Sequence, residues 1–171
     1  MFFSRIMTLG AAAVSFAVLA NAACVESEAP ELFCYTDGDS VPQDVAVADV
    51  KYVASYLRSY GQQTRNGRQF VMLEADTPDC GEWSLYSRGS VLATAKHIVP
   101  DVNSSVLFTD IANTIDGGAG TKKMQALVDC ASDGGSFGVA FNASDPQYNT
   151  ASYRASGYTP NGILIKIVSS K

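Results

Sequence analysis

Ser90-Val91-Leu92-Ala93-Thr94-Ala95-Lys96-His97-Ile98 is the stretch that decides the fold. Val91, Ala93 and Ala95 alternate with Leu92, Thr94 and Lys96, the period-two pattern of a strand. The small side chains on one face predict a strand lying under a helix. Glu82–Ser87 precedes it as a second strand, joined through Arg88-Gly89, and Pro100 closes the run.

Upstream, Ala46, Val50, Val53, Leu57 and Tyr60 fall at helical spacing, so a helix is expected over Gln43–Tyr60. Ser40 and Pro42 read as its cap and first turn, and Gly61 as its stop. Tyr52 and Tyr56 form a second stripe on this helix, either a binding ridge or the edge of the core. After the Asn66-Gly67 turn, Gln69–Ala75 reads as a strand.

Downstream, Leu107, Phe108, Ile111, Ala112 and Ile115 give a second amphipathic helix over Ser105–Asp116, capped by Ser104 or Ser105 and stopped at Gly117-Gly118. The Gly117–Thr121 segment follows a helix and lacks a phosphate-loop lysine, so it reads as a connection. Gln125–Cys130 and Ser136–Asn142 form an expected hairpin, and Gly162–Ser169 a closing strand. Between them, Ala143–Asn161 reads as a long polar loop carrying Tyr148 and Tyr153, of a length that is often functional. The order predicts an α+β domain: a mainly antiparallel sheet with two helices packed on one face.

Residues 1–22 read as a secretory leader: Arg5, an apolar run from Ile6 to Ala20, and the small-x-small ending Ala20-Asn21-Ala22. The run is short for a membrane span and no stop-transfer segment follows. A lipoprotein signal before Cys24 is the competing reading, but Asn21 stands where such signals carry an aliphatic residue. The expected layout is a leader over 1–22, an acidic arm over 23–40 and a single domain over 41–171, with the protein secreted.

The chain carries 12 Lys and Arg against 17 Asp and Glu, a formal net charge of −5. Removing Arg5 with the leader deepens that acidity, which disfavours nucleic acid as a partner. Cys24, Cys34, Cys80 and Cys130 all follow the leader. An even count in an exported chain predicts two disulfides, each worth roughly 3–4 kcal/mol in the chain-entropy description. Cys24–Cys80 with Cys34–Cys130, and the rival Cys24–Cys130 with Cys34–Cys80, both remain open. Without a C-x-x-C spacing no metal is expected, and no motif calls for a cofactor. Asn103-Ser104-Ser105 and Asn142-Ala143-Ser144 are sequons, so Asn103 and Asn142 are candidate glycosylation sites.

Catalytic chemistry has few carriers. His97 is the sole histidine, no G-x-S-x-G elbow is present, and paired cysteines leave no thiol nucleophile. Asp79 and Glu82 flank Cys80 and read as a solvated turn, with glycosidase chemistry the sharper alternative. Glu82-Trp83-Ser84-Leu85 resembles the strand bearing the catalytic glutamate of small fungal guanyl-specific ribonucleases. That resemblance implies a hydrolase using Glu82, Arg88 and His97, although the last strand has neither the arginine nor the histidine of that family.

A broader resemblance is to fungal small secreted effector proteins of the killer-toxin-like, necrosis-inducing type. It rests on the leader, Cys34 ahead of a helix, Asp79-Cys80, the Ser90–His97 strand, the Ser105–Asp116 helix, Gly135-Ser136-Phe137 after Cys130, and the closing strand. The family's central strand often carries a cysteine where Val91 or Leu92 stands here. This resemblance implies an extracellular effector acting without catalysis on a host or competitor surface protein or glycan. Tyr52, Tyr56, Tyr148 and Tyr153 are the expected contact residues.

Overall fold

The computed structural model describes residues 28–36, 38, 40–78, 80–118 and 124–171. The expected leader over 1–22, residues 23–27 with Cys24, Asp37 and Asp39 of the expected acidic arm, Asp79, and residues 119–123 lie outside the described residues.

The alternation in Val91–His97 builds the centre of the molecule. This strand, β4, pairs antiparallel with β3 (Glu82–Arg88) on one side and β8 (Ile163–Ser169) on the other. β6 (Gly135–Gly138) pairs with β8, and β1 (Phe33–Cys34) closes the far edge, giving an antiparallel sheet in the order β1-β6-β8-β4-β3. The register places Ala93 opposite Ile167, and Ala95 opposite Ile165. These residues share one core with Val50, Val53, Ala54 and Leu57 of α1 (Val47–Gly61), and with Ile111, Ala112 and Ile115 of α2 (Phe108–Asp116). The alanines of β4 let the helices sit close to the sheet. α+β with a mostly antiparallel sheet is therefore the architecture.

Several expected elements shift, each for a tertiary reason. α1 starts at Val47 because the preceding backbone is already engaged. Gln43 and Val45 N–H donate to Asp133 and Ser132 carbonyls, and Ala46 N–H donates to Ser90 Oγ. Ser40 therefore does not cap the helix. α2 starts at Phe108 because Asn103–Leu107 forms β5, antiparallel to β2 (Gln69–Met72). β5 also pairs in parallel with β7 (Tyr158–Thr159), completing a second, three-stranded sheet. Leu127–Cys130 is a 3-10 turn in place of a strand, held by Ala126 N–H donating to Asp129 Oδ2.

The loop expected over Ala143–Asn161 is ordered into structure. Asp145 accepts from Gln147 N–H to cap a 3-10 turn over Pro146–Asn149. Thr150 Oγ1 accepts from Tyr153 N–H to cap α3 (Ala151–Ala155). Among the described residues the expected pair of helices is thus three.

The described residues contain one complete disulfide, Cys34–Cys130, where two were expected. Cys80 is also disulfide-bonded, and Cys24 lies outside the described residues. Cys34–Cys130 rules out the rival pairing. It ties β1 to the turn before β6, where Gly135 is required: a Cβ there would lie 2.5 Å from the Phe33 carbonyl and 3.1 Å from Cys130 Sγ. Among the described residues, no helix is long and apolar enough to cross a membrane.

Candidate functional site

The register of β3 and β4 settles where the three candidate acid–base residues lie. Glu82 is opposite Lys96, so Glu82 and His97 occupy opposite faces of the sheet. His97 is completely buried on the helix side, its Nε2 3.1 Å from Ser104 Oγ. Glu82 lies on the outer face, accepting from Thr94 Oγ1 at 2.7 Å and standing 3.5 Å from Lys166 Nζ. Arg88 is six residues further along β3, about 20 Å away by strand rise. Glu82, Arg88 and His97 are not brought together.

The outer face carries a cluster that the sequence did not reveal. Lys96 and Lys166 project from neighbouring strands, and both meet Glu28 Oε1, at 2.5 and 3.2 Å. Burial alone would push the Glu28 carboxyl up. Hydrogen bonds and charge from Lys96 and Lys166 outweigh it and hold the pKa below the usual carboxylate value. Burial would likewise lower Lys166, but the charges of Tyr35, Glu82 and Glu28 raise it. Among the described residues of the acidic arm, Glu28 is consequently docked on the sheet. Two lysines drawn into the sheet need a counter-charge, and Glu28 supplies it. Beside the cluster lies a cavity of about 550 Å³, bordered by Leu32, Phe33, Tyr35, Val41, Ser136 and Lys166 among others.

The second assembly runs along α1. Tyr52, Tyr56 and Tyr60 are four residues apart and share one helix face. Tyr52 and Tyr56 are 47% and 41% exposed, so the ridge faces solvent. β3 runs beside it. The Arg88 guanidinium lies over the Tyr52 ring at 4.6 Å, and Tyr86 stacks on Tyr56 at 3.7 Å. At the other end, Arg68 lies over Tyr60 at 4.5 Å, and Phe108 meets Tyr60 edge-on. Tyr56, Tyr60, Phe70, Ser84, Leu85 and Phe108 border a recess of about 280 Å³ between helix and strand. Trp83, 38% exposed, packs edge-on against Phe70 at the core's rim.

Tyr148 and Tyr153 take a different place from the one expected. Both are buried, at 6% and 4% exposure. Tyr148 Oη donates to Asp110 Oδ2 at 2.6 Å and accepts from Leu107 N–H at 2.9 Å, while Tyr153 Oη donates to the Ser105 carbonyl at 2.7 Å. Burial pushes the Tyr148 hydroxyl up, reinforced by Asp110, and raises Tyr153 to about 12. Asp110 is raised by burial despite its bonds from Tyr148 and the Asn142 backbone. These tyrosines anchor the segment after Asn142 to β5 and α2. A long polar stretch hides its anchors, because a buried tyrosine and an exposed one look alike until the hydroxyl's partner is known.

The two sequons also part. Asn142 is exposed, its Oδ1 accepting from Ser144 N–H. Asn103 Oδ1 accepts from Glu74 N–H, and Ser105 is fully buried with its hydroxyl donating to Gln69. Among the described residues, no group of three or more His, Cys, Asp and Glu could hold a metal ion.

Arg68, Tyr60 and Tyr86 were missed as ridge members. Tyr60 falls in the apolar helical pattern with Val53 and Leu57, and its four-residue spacing from Tyr56 is the signal that also places it on the ridge. No family model, curated protein or solved structure matches this chain.

Proposed function

We propose that this protein is an exported effector or toxin-like protein that acts by contact on a host or competitor surface, without catalysis. The observation that carries the reading is the solvent-facing tyrosine ridge of α1, braced from β3 by Arg88 and Tyr86. Aromatic side chains presented rigidly, with few rotamers left to lose, are what strong contact sites use. The separation of Glu82 from His97 across the sheet supports binding over acid–base hydrolysis, which needs its groups within hydrogen-bond reach of one substrate.

Export through residues 1–22 accounts for the remaining features. Cys34–Cys130 would survive outside the cell, and Cys24–Cys80 is the second bridge that the remaining cysteines imply. Asn142 is the sequon suited to carry a glycan.

The test is infiltration of purified protein into tissue of prospective hosts, with capture of bound partners. The native protein and a Tyr52→Ala, Tyr56→Ala form would be compared at equal dose. Loss of response and capture in the variant, with an unchanged circular dichroism spectrum, supports the reading. An undiminished response from the variant overturns it.

A further inference from the structure

We infer that the α1–β3 ridge takes an extended acidic peptide segment of a partner protein, with the pattern acid-x-aromatic-x-acid. This rests on the binding reading above and names the partner's chemistry. The charge around the ridge is opposite to that of the whole chain. α1 has a single acidic residue, Asp49, whose Oδ2 accepts from both the N–H and the hydroxyl of Ser90; the charge of Arg88 also acts on this carboxylate, but at more than ion-pair distance. Arg88 and Arg68 stand at the two ends of the ridge, on a protein whose net charge is −5. Among the described residues neither guanidinium forms an ion pair. Arg68 Nε is buried without a hydrogen-bond partner. Each guanidinium carbon stands over a tyrosine ring, Arg68 over Tyr60 and Arg88 over Tyr52, and Arg68 Nη1 also donates to Tyr60 Oη at 3.2 Å, so in Arg68 it is Nη2 that is left to meet a carboxylate.

The spacing selects the ligand's form. Tyr52 and Tyr60 are eight residues apart, about 12 Å along the helix axis. In an extended segment residues i and i+4 point to the same side and lie about 13 Å apart. Two acidic side chains at that interval reach both arginines. Residue i+2 then points the same way, towards the recess of about 280 Å³ bordered by Tyr56, Tyr60, Phe70 and Phe108. That recess is lined largely by rings and by Leu57 and Leu85, so it fits one large apolar side chain. A peptide supplies such a side chain between two acids, whereas a uronic acid polymer supplies the charge without it. Beside the recess, β3 is an edge strand of its sheet among the described residues and presents backbone groups to an added segment.

The experiment uses fluorescein-labelled Glu-Thr-Phe-Thr-Glu, its Lys-Thr-Phe-Thr-Lys counterpart and its Glu-Thr-Ala-Thr-Glu counterpart, titrated by fluorescence anisotropy against the purified exported protein. The first peptide is expected to bind at least about tenfold tighter than either of the others, and more weakly as salt rises. Arg88→Glu should weaken it by about tenfold or more and favour the lysine peptide. Arg68→Gln provides a second, milder variant, and circular dichroism checks both folds. Equal binding of the acidic and basic peptides, no binding of the acidic one, or selective binding of polygalacturonate in its place overturns the inference. Tissue response separates this from the broader reading. If Arg88→Glu keeps full response while Tyr52→Ala, Tyr56→Ala loses it, contact through the ridge stands and the acidic partner falls.

Discussion

Replacing Tyr148 by phenylalanine removes one oxygen from the core, and the structure says what that oxygen does. Its hydrogen is given to Asp110 and its lone pair receives the Leu107 N–H. Asp110 is 7% exposed, and Leu107 is 3% exposed at the junction of β5 and α2. The phenyl ring keeps its edge-on contacts with Phe141 and Tyr153, so no cavity forms. What is lost is a hydrogen bond to a carboxylate, about 1.5–3 kcal/mol, and the acceptor of a buried N–H, about 1–3 kcal/mol. The two share one atom and do not add fully, which brings the expected cost to about 3 kcal/mol. At a domain of this size that lowers Tm by about 6–12 °C.

The cost also depends on pH. Burial raises the Asp110 pKa above its ordinary value of 3.8. Asp110 therefore contributes stability that is complete below the unfolded value and lost as pH rises through the raised folded value. Removing the Tyr148 donor raises the folded value further, so the variant should suffer more at neutral pH than in mild acid. Urea denaturation of the native protein and Tyr148→Phe at both pH values measures this. Tyr52→Phe, on the exposed ridge, is the control and should stay within about 0.5 kcal/mol. A cost below about 1 kcal/mol for Tyr148→Phe at neutral pH would refute the anchoring role assigned to this tyrosine.

Three further outcomes are expected. Glu28→Gln should destabilise the protein by about 2 kcal/mol, less than the cost of breaking a fully buried pair because Glu28 keeps some solvent access. Because the Glu28 pKa is lowered from 4.5, its contribution is present above that value and lost as pH falls through the folded one; the variant's urea midpoint should be flatter across that acid range. Cys34→Ser with Cys130→Ser opens a bridge spanning 96 residues and should reduce unfolding free energy by about 2–5 kcal/mol under oxidising conditions, read by chemical denaturation. Expression in a glycosylating secretory host should give one glycan by intact mass, removed by Asn142→Gln and unaffected by Asn103→Gln.

The sheet centre was legible because its pattern is strict. Val91, Ala93 and Ala95 alternate without interruption, and every side chain obeys that alternation in the structure. The stops were legible too, since Gly117 takes the left-handed conformation that ends α2. The starts were not, because Ser40 and Ser105 have the chemistry of caps while their surroundings give that backbone other partners. Asp145-Pro146 and Thr150 did carry cap chemistry for the short helical turns, but these turns are too brief for a periodic signal. The site divides in the same way. Tyr52 and Tyr56 were visible as a helical stripe. Arg88 and Tyr86 join it only through the packing of β3 against α1, at sequence distances no local pattern spans, and Arg68 through the turn that folds back after Gly61, where its N–H donates to the Gly61 carbonyl. The Glu28–Lys96–Lys166 cluster is further from view, since its members lie on three separate segments.

The proposed contact through the α1–β3 ridge has a direct consequence for partner affinity. The most direct measurement is the equilibrium binding of its captured partner to the native protein and to the Tyr52→Ala, Tyr56→Ala form, with equal unfolding midpoints verified first. At least about a tenfold loss of affinity is expected in the variant, as for truncation of central aromatic contacts. Equal affinity of the two proteins would contradict it.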